Sequence, residues 1–508
     1  MKRVSKITEH SSAEDVRYNQ IIQDLLPYDS QRFDFVRACF NKLGLRVGPK
    51  AEMTIPHLTR MKLSSINVGD TDRLIASLKQ FATQSSNKSF KLSCHSNDFV
   101  FHYDEDLETL ETSSTSEMSS TDETQEDKKI SLDVDVFHQG SDNIPDARST
   151  PHFNHYLYYS TLQQLHSTNP ATKFAAYPKF GAMVLYSEVI TSTSTIMESN
   201  PVLLEELPAG FVVTGTIQNQ GRGRGGNVWV NPVGVLAVSH VYRIPLNSDI
   251  PAFIPKGIDG FKQSSSFCAP GNYMYGTSSF AQPTSPIVFV QYIASLAMVE
   301  AIRDLSGKAN AGYGNLPVML KWPNDIYALD PNRMTADDIN GDKSKINMSP
   351  ADYLKIGGIL VNCSSFRGDY YFVIGSGVNV ANDQTPTTSL NLVVDRYNQL
   401  KPANAPVLDH YSMEELMATF MNKFEQISND FNYQGFTPFE EQYYSRWLHS
   451  NQIVRVEQAA NARCRIIGLS DDGGLQVQEL DTPSKAKINL VPDGNSFDIF
   501  KGLLKRKI

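Results

Sequence analysis

The 508 residues predict an α+β protein in three ordered parts: a small N-terminal α/β module, a central mixed domain and a small all-β unit at the C-terminal end. Three observations predict it. Between about residue 180 and residue 434, β-prone apolar runs are interleaved with amphipathic helical patterns. An acidic segment rich in Ser and Thr interrupts the chain after residue 103. Past Trp447 only short apolar runs remain, divided by Asp471-Asp-Gly-Gly474 and Asp481-Thr-Pro483.

In the N-terminal module, residues 1–103, a helix is expected at 33–43, where Phe33, Val36, Cys39, Phe40 and Leu43 recur at helical spacing. A strand is expected at Asp98-Phe99-Val100-Phe101. Residues 104–148 read as a disordered linker, since positions 104–135 hold twelve acids against Lys128 and Lys129. That segment alone accounts for the net charge of -9. The remainder is close to neutral, which argues against a general nucleic-acid binder.

The central domain is expected over 149–450. A strand at 181–190 runs into Thr191-Ser-Thr-Ser-Thr195, hydroxyls suited to open a helix near Ile196. Residues 245–284, rich in Pro, Ser and Gly, read as an insertion. A helix then begins with Ser285 at the N-cap and Pro286 behind it, carries Val290, Ile293, Ala297, Ala301 and Leu305 on one face, and stops at Gly307. Residues 318–322 form a strand that ends in the turn Pro323-Asn-Asp325. After a second polar insertion, 356–361 and 370–380 pair as strands, the latter interrupted by Gly375 and Gly377. Ser412 and Glu415 form a capping box for a helix through Phe431. The runs 453–456, 462–468, 475–480 and 487–491 then make a β-barrel over 451–508.

Five cysteines, Cys39, Cys94, Cys268, Cys363 and Cys464, have no metal or redox spacing and are expected to be reduced and mostly buried. No apolar run has the length of a signal peptide core or a membrane span, so a cytoplasmic protein is expected.

The most informative stretch is Gln218-Asn-Gln-Gly-Arg-Gly-Arg-Gly-Gly-Asn227. Its glycines remove steric bulk, and Arg222 and Arg224 are planar forks that grip a carboxylate or phosphate bidentately. The flanks Phe211-Val-Val213 and Val235-Leu-Ala-Val238 are β-prone. A phosphate-binding P-loop would need Lys-Ser or Lys-Thr and a following helix, and the dinucleotide fingerprint also needs a helix. An Arg-Gly nucleic-acid segment would normally lie in a long disordered tract. By itself the loop is compatible with closing on an anion and with a plain flexible hairpin.

Three further segments share its character: Lys321-Trp-Pro-Asn-Asp325, Lys355-Ile-Gly-Gly-Ile-Leu360 and Ile374-Gly-Ser-Gly-Val-Asn379. In order and spacing, with the glycine-arginine loop first, they resemble the biotin protein ligase (holocarboxylase synthetase) family over roughly residues 180–508. The resemblance implies a class II synthetase-like mixed sheet with flanking helices, followed by an SH3-like β-barrel. It implies biotin, ATP and Mg2+ as the small molecules, a biotinyl-adenylate intermediate, and biotin-dependent carboxylases as acceptors. Arg222, Arg224 and Lys321 take the catalytic positions. Ser192, Thr193, Ser194, Gln218, Gly221, Gly223, Trp229, Asn324, Gly357, Gly358 and Asn379 take the binding positions. Ser194 stands where the family has Asn. For one of the three hydroxyls a helix cap is the competing role, and for Trp229 a place in the core. The loop is expected to order over its ligands.

Long fungal members resemble a fusion with a glutamine amidotransferase-like module. Residues 1–103 are too short for one and lack a Gly-x-Cys-x-Gly turn, so they read as a remnant that touches the acceptor or restrains the catalytic domain. Two alternatives stay open: a lipoate or octanoate ligase of the same fold, whose loop would read Arg-Arg-x-Ser-Gly-Gly-Gly, and a nucleic-acid-binding protein.

Overall fold

The structure is a computed structural model. It describes residues 56–86, 88–103, 129–138, 143–168, 178–223, 229, 231–260, 287–339, 350–382, 387–490, 495–498 and 503–506, with positions 34, 35, 38, 39 and 42. The chain divides into two units, Met1–Pro56 and His57–Ile508. In the first, positions 34, 35, 38, 39 and 42 are helical, within the stretch where a helix is expected.

The second unit is built on one twelve-stranded mixed sheet. Its strands are β1 Met61–Ser65, β2 Gln84–Ser85, β3 Ser89–Ser93, β4 Asn97–His102, β5 Ile130–Val136, β6 Met183–Ile190, β7 Val212–Gln218, β8 Val235–Pro245, β9 Val318–Lys321, β10 Asp325–Leu329, β11 Tyr353–Phe366 and β12 Asp369–Asn379. They lie in the order β2-β3-β4-β5-β1-β6-β7-β8-β12-β11-β10-β9. Pairing is parallel for β4 with β5, β5 with β1 and β6 with β7, and antiparallel elsewhere.

This arrangement corrects two expected boundaries. Residues 130–136 fall inside the expected linker yet form a strand between β4 and β1, because Leu132, Val134 and Val136 are buried while the acids counted as linker charge alternate with them. Asp135 is itself buried and ion-paired with Arg60 and with Lys62, the latter at 2.8 Å. The strands before residue 103 are likewise no separate module, since β1 pairs with β6 from Lys62 opposite Tyr186 to Ser65 opposite Met183. Acidic composition masked a period-2 pattern, and pairing across so many residues leaves no local signal.

Both faces of the central strands are covered, because successive side chains alternate between them. On β6, Val184 and Tyr186 enter a core formed with α2 His155–Thr168, α5 Ile287–Arg303 and α7 Met413–Gln434. Met183 and Leu185 enter a second core, with Leu74, Ile75 and Leu78 of α1 Asp70–Lys79, Phe99 and Phe101 of β4, Ile196 and Met197 of α3 Thr195–Glu198, and Leu203 and Leu204 of α4 Pro201–Glu206. The N-terminal strands thus shield one face of the sheet.

α7 obeys its sequence signal, while the Ser285 and Pro286 start expected for α5 lies outside the described residues. Ser412 Oγ accepts the Glu415 N–H at 3.1 Å, closing the expected cap of α7, which ends at Gly435 in a positive-φ conformation. α5 is almost wholly buried, so its periodicity is blunted and it serves as the spine of the first core. Between these helices lies α6 Leu390–Leu400, and α8 Glu440–Arg446 leads to the C-terminal unit. That unit is a six-stranded sheet of β13 Ile453–Val456, β14 Ala462–Leu469, β15 Leu475–Glu479, β16 Lys487–Leu490, β17 Asn495–Asp498 and β18 Leu503–Arg506. Among the described residues no helix is long and apolar enough to cross a membrane.

Candidate active site

Five neighbouring strands, β7, β8, β12, β11 and β10, present one cleft. With its open mouth it measures about 1040 Å³, and Ser192, Thr193, Ser194, Gln218, Arg222, Gly223, Trp229, Asn324 and Gly358 line it. Nine of the expected positions therefore meet in one place. A second cavity, inside the N-terminal core between Leu63, Phe99 and Met197, is entirely apolar and offers a ligand no polar group.

The hydroxyl segment is tied to the floor of the cleft. Gln218 Oε1, at the end of β7, accepts the Thr193 N–H at 2.8 Å and the Thr193 hydroxyl at 3.2 Å. Thr193 Oγ1 is also 2.8 Å from Ser239 Oγ in the middle of β8. Gln218 is therefore an organiser of the segment. Ser194 makes no side-chain cap, whereas Ser192 Oγ accepts the Thr195 N–H at 3.4 Å, so the capping alternative falls on Ser192. Ser194 is left facing the cleft.

The loop closes on itself where Trp229 N–H donates to Gly221 O at 2.9 Å. A Cβ at Gly221 would lie 2.3 Å from the Trp229 carbonyl oxygen, so only glycine permits this approach. Gly377 of β12 is the matching bare patch: its Cβ would sit 2.8 Å from the Trp229 indole, which packs flat against the strand. Trp229 Nε1 is buried and has no hydrogen-bond partner among the described residues. Arg224 and residues 225–228 lie outside the described residues, as does the ordering expected for that part of the loop.

Across the cleft, Asn324 Nδ2–H donates to Ile359 O at 2.7 Å while Ile359 N–H returns to Asn324 O at 2.8 Å. Asp325 begins β10 and pairs with Lys355 of β11, Oδ1 to Nζ at 2.6 Å. The Lys355 ammonium lies 5.9 Å from the Trp229 ring centroid. Beside the hydroxyl segment, Glu198 is held above the ordinary carboxylate range. Burial is the main cause, opposed by hydrogen bonds from Asn362, at 2.6 Å, and Ser194 and by the charge of Arg222.

Besides Gly221, three expected positions are not among the lining residues. Lys321 ends β9 opposite Asp325, but it is not among the lining residues; its Nζ rests 5.7 Å from the Tyr327 ring centroid. The lysine in the cleft is Lys355. β9 is the outermost strand, one further from the cleft than β10, and Lys321, opposite Asp325, projects from the same face as Asp325 and Tyr327. Asn379 donates to Thr387 Oγ1 at 3.2 Å and Thr388 O at 3.4 Å, fixing the segment after β12. Gly357 serves the sheet, since a Cβ there would lie 2.6 Å from Gly377 O.

The lining residues not foreseen are Ser239, Asp325, Lys355, Ile359, Leu360 and Ser376, whereas Gly375 and Gly377, expected as a break in the strand, do line the cleft. Lys355 and Asp325 stood inside the quoted motifs, three positions before Gly358 and directly after Asn324, and that proximity was the available signal. Ser239 sits within an apolar run and gave none. Among the described residues, no group of three or more His, Cys, Asp or Glu is arranged to hold a metal ion. The four described cysteines are not disulfide-bonded; Cys94 and Cys464 are buried, but Cys39 and Cys363 are exposed, against the expectation that most would be buried.

A cleft lined by hydroxyls, by Arg222 and Lys355 and by an aromatic wall defines a site for a polar, anionic small molecule held on a mixed sheet. The Biotin/lipoate A/B protein ligase family matches residues 186–255 and 276–379, and the Biotin protein ligase C terminal domain matches 449–502. The chain is 33% identical over 336 residues to "Biotin--protein ligase 2" of Arabidopsis thaliana, covering 65% of this chain and 79% of that one. It is 33% identical over 333 residues to "Biotin--protein ligase" of Schizosaccharomyces pombe, covering 65% of this chain and 44% of that protein. With the human "Biotin--protein ligase" it shares 29% over 369 residues, covering 71% of this chain and 39% of the relative. The chain belongs to the biotin protein ligase family. It spans less than half the length of the fission-yeast and human relatives it matches.

Proposed function

We propose that this chain activates biotin with ATP and transfers the biotinyl group to a lysine of acceptor carboxylases. The observation that carries the reading is the single cleft that brings Ser192–Ser194, Gln218, Arg222, Trp229, Asn324 and Lys355 together on adjoining strands. A carboxylate oxygen of biotin attacks the α-phosphorus of ATP; the bond to the β-phosphate breaks and pyrophosphate leaves. The acceptor amine then attacks the carbonyl of the mixed anhydride, and AMP departs with the bonding pair.

Both partners in the first step are anions, so fixed positive charge and alignment supply the rate enhancement. Arg222 offers a fork to the carboxylate or the α-phosphate, and Lys355, steadied by Asp325, offers a compact charge on the facing wall. Lys321 adds charge behind the Asn324 turn, and Arg224 completes the loop's pair. The hydroxyls of Ser192 and Ser194 suit the polar ring of biotin, and Trp229 is a flat apolar surface for its chain or for adenine. Mg2+ would enter with the triphosphate and neutralise part of its charge.

Exchange of labelled pyrophosphate into ATP, run with biotin, with lipoate and with no acid, tests the reading. Biotin-dependent exchange, lost in Arg222→Ala, is the expected result. Lipoate-dependent exchange, or none with either acid, would reject it.

A further inference from the structure

The Lys321–Asp325 turn is suspended from the C-terminal unit. Trp322 N–H donates to His449 Nε2 at 2.9 Å, and His449 Nδ1 lies 3.2 Å from Gln452 Oε1. An amide oxygen only accepts, so the ring proton sits on Nδ1 and Nε2 keeps the lone pair that Trp322 requires. The imidazole is wholly buried and edge-on to Trp447 at 5.4 Å. Burial pushes its pKa down to about 3, helped by the charge of Lys321, so the lone pair persists at neutral pH. Next to it, Leu448 N–H donates to Leu320 O at 2.9 Å, laying this segment along the outer edge of β9.

The other donor of the same tryptophan is held from the same side. Trp322 Nε1–H donates to Tyr292 Oη at 2.9 Å, and Tyr292 O–H donates to Gly473 O, 2.5 Å away in the β14–β15 hairpin. Both N–H groups of Trp322 thus lead to residues of the matched C-terminal region. Two residues further on, Asn324 clasps Ile359 in the cleft wall, and Asp325 aims Lys355.

We propose that His449 is a positioning residue: by accepting the Trp322 N–H it fixes the turn from which Asn324 and Asp325 reach the cleft, so the C-terminal unit sets the geometry of the ATP and biotin site. The kinetic part of its test rests on the function proposed above; the exchange part does not.

The full-length chain is compared as wild type, His449→Gln and His449→Leu. Glutamine places Oε1 where Nε2 stood and keeps an acceptor, whereas leucine fills the space and has none. Amide hydrogen exchange in the peptide spanning 318–326 is expected to rise at least tenfold in His449→Leu and to stay within about threefold of wild type in His449→Gln. Biotin-dependent pyrophosphate exchange is expected to show KM for ATP raised about tenfold in the leucine variant and largely restored in the glutamine variant, a rescue that a packing role alone would not give. If His449→Leu does not fold, Gln452→Leu, which frees the ring to change tautomer, is expected to raise the same exchange and the same KM about threefold. Wild-type exchange at 318–326 in the leucine or Gln452 variant, or a glutamine variant no better than leucine, overturns the proposal. A wild-type protein without biotin-dependent activity rejects the proposed function, and the amide measurements still decide the role of His449.

Discussion

Asn200 and Asn97 clasp each other: Asn200 Nδ2–H donates to Asn97 Oδ1 at 3.0 Å, and Asn200 Oδ1 accepts the backbone N–H of Asn97 at 3.1 Å. The same oxygen accepts Ser96 N–H at 3.0 Å, and the same amide reaches Ile196 O at 2.8 Å. Asn200 follows α3, which follows the hydroxyl segment of the cleft. The joint therefore ties the turn before β4 to the element that bears Ser192–Ser194.

Asn200→Ala is expected to destabilise the fold by about 2–4 kcal/mol, because it strands buried donors at Ser96 and Asn97 as well as losing the bonds themselves. Urea unfolding would show the drop. The affinity for biotin should fall with it while KM for ATP changes less. For the same reason, deleting residues 57–103 should compromise folding, a larger effect than altered acceptor affinity.

The glycines of β11 and β12 should rank by what a methyl group meets. Gly357→Ala puts Cβ 2.6 Å from the Gly377 carbonyl oxygen, Gly377→Ala puts it 2.8 Å from the Trp229 indole, and Gly358→Ala finds nothing nearer than Asp325 Oδ1 at 3.4 Å. Loss of stability of about 2–3, 1–2 and under 1 kcal/mol is expected in that order. The Gly377 variant should combine that moderate loss of stability with about tenfold weaker ligand binding by calorimetry.

Lys355→Met and Asp325→Asn should separate stability from activity. The pair lies 41% and 20% exposed at its side chains, so solvent screening keeps its contribution to folding under about 1 kcal/mol. Pyrophosphate exchange should nevertheless fall about 100-fold or more in Lys355→Met, since the cation is spent on the reacting anions. A 100-fold loss in Lys321→Met, with Lys355→Met near wild type, would reverse the assignment of the two lysines.

His240 is buried against Phe180, Phe420 and Phe424, neither ring nitrogen has a partner, and burial pushes its pKa down to about 3. The unfolded chain takes up this proton near pH 6.5 and the folded chain only near 3. Its contribution to stability is therefore intact above pH 6.5 and is lost as the pH falls toward 3, at about 1.4 kcal/mol per unit. His240→Phe should flatten the decline of unfolding free energy between pH 6 and pH 4 by about that slope. His155 and His449, also depressed to about 3, keep the slope from vanishing.

The cleft was legible in the sequence where chemistry and chain position coincide: the glycine-arginine loop, the hydroxyl run and the Asn324 turn are contiguous and carry unusual residues. Lys355 and Ser239 were harder to find because each becomes a cleft residue only through strand pairing, β11 beside β10 and β8 beside β7. The helices and the C-terminal strands announced themselves by period and by Ser412, Gly307 and Asp471-Asp-Gly-Gly474. Of the N-terminal strands, β4 was legible at Asp98-Phe99-Val100-Phe101, whereas β5 was not, since it alternates its apolar residues with acids and meets β1 across some seventy positions of chain. Long-range pairing is paid for in loop entropy and leaves no mark on local sequence.

Of the chain's three tryptophans, Trp322 and Trp447 are buried and hydrogen-bonded through their indole nitrogens, to Tyr292 Oη and Ser450 Oγ. Trp229 alone of the three lines the cleft, bare against Gly377 with its nitrogen unmatched. Ultraviolet emission that changes when a small molecule enters can therefore be assigned to one residue, and the protein carries its own optical gauge of occupancy.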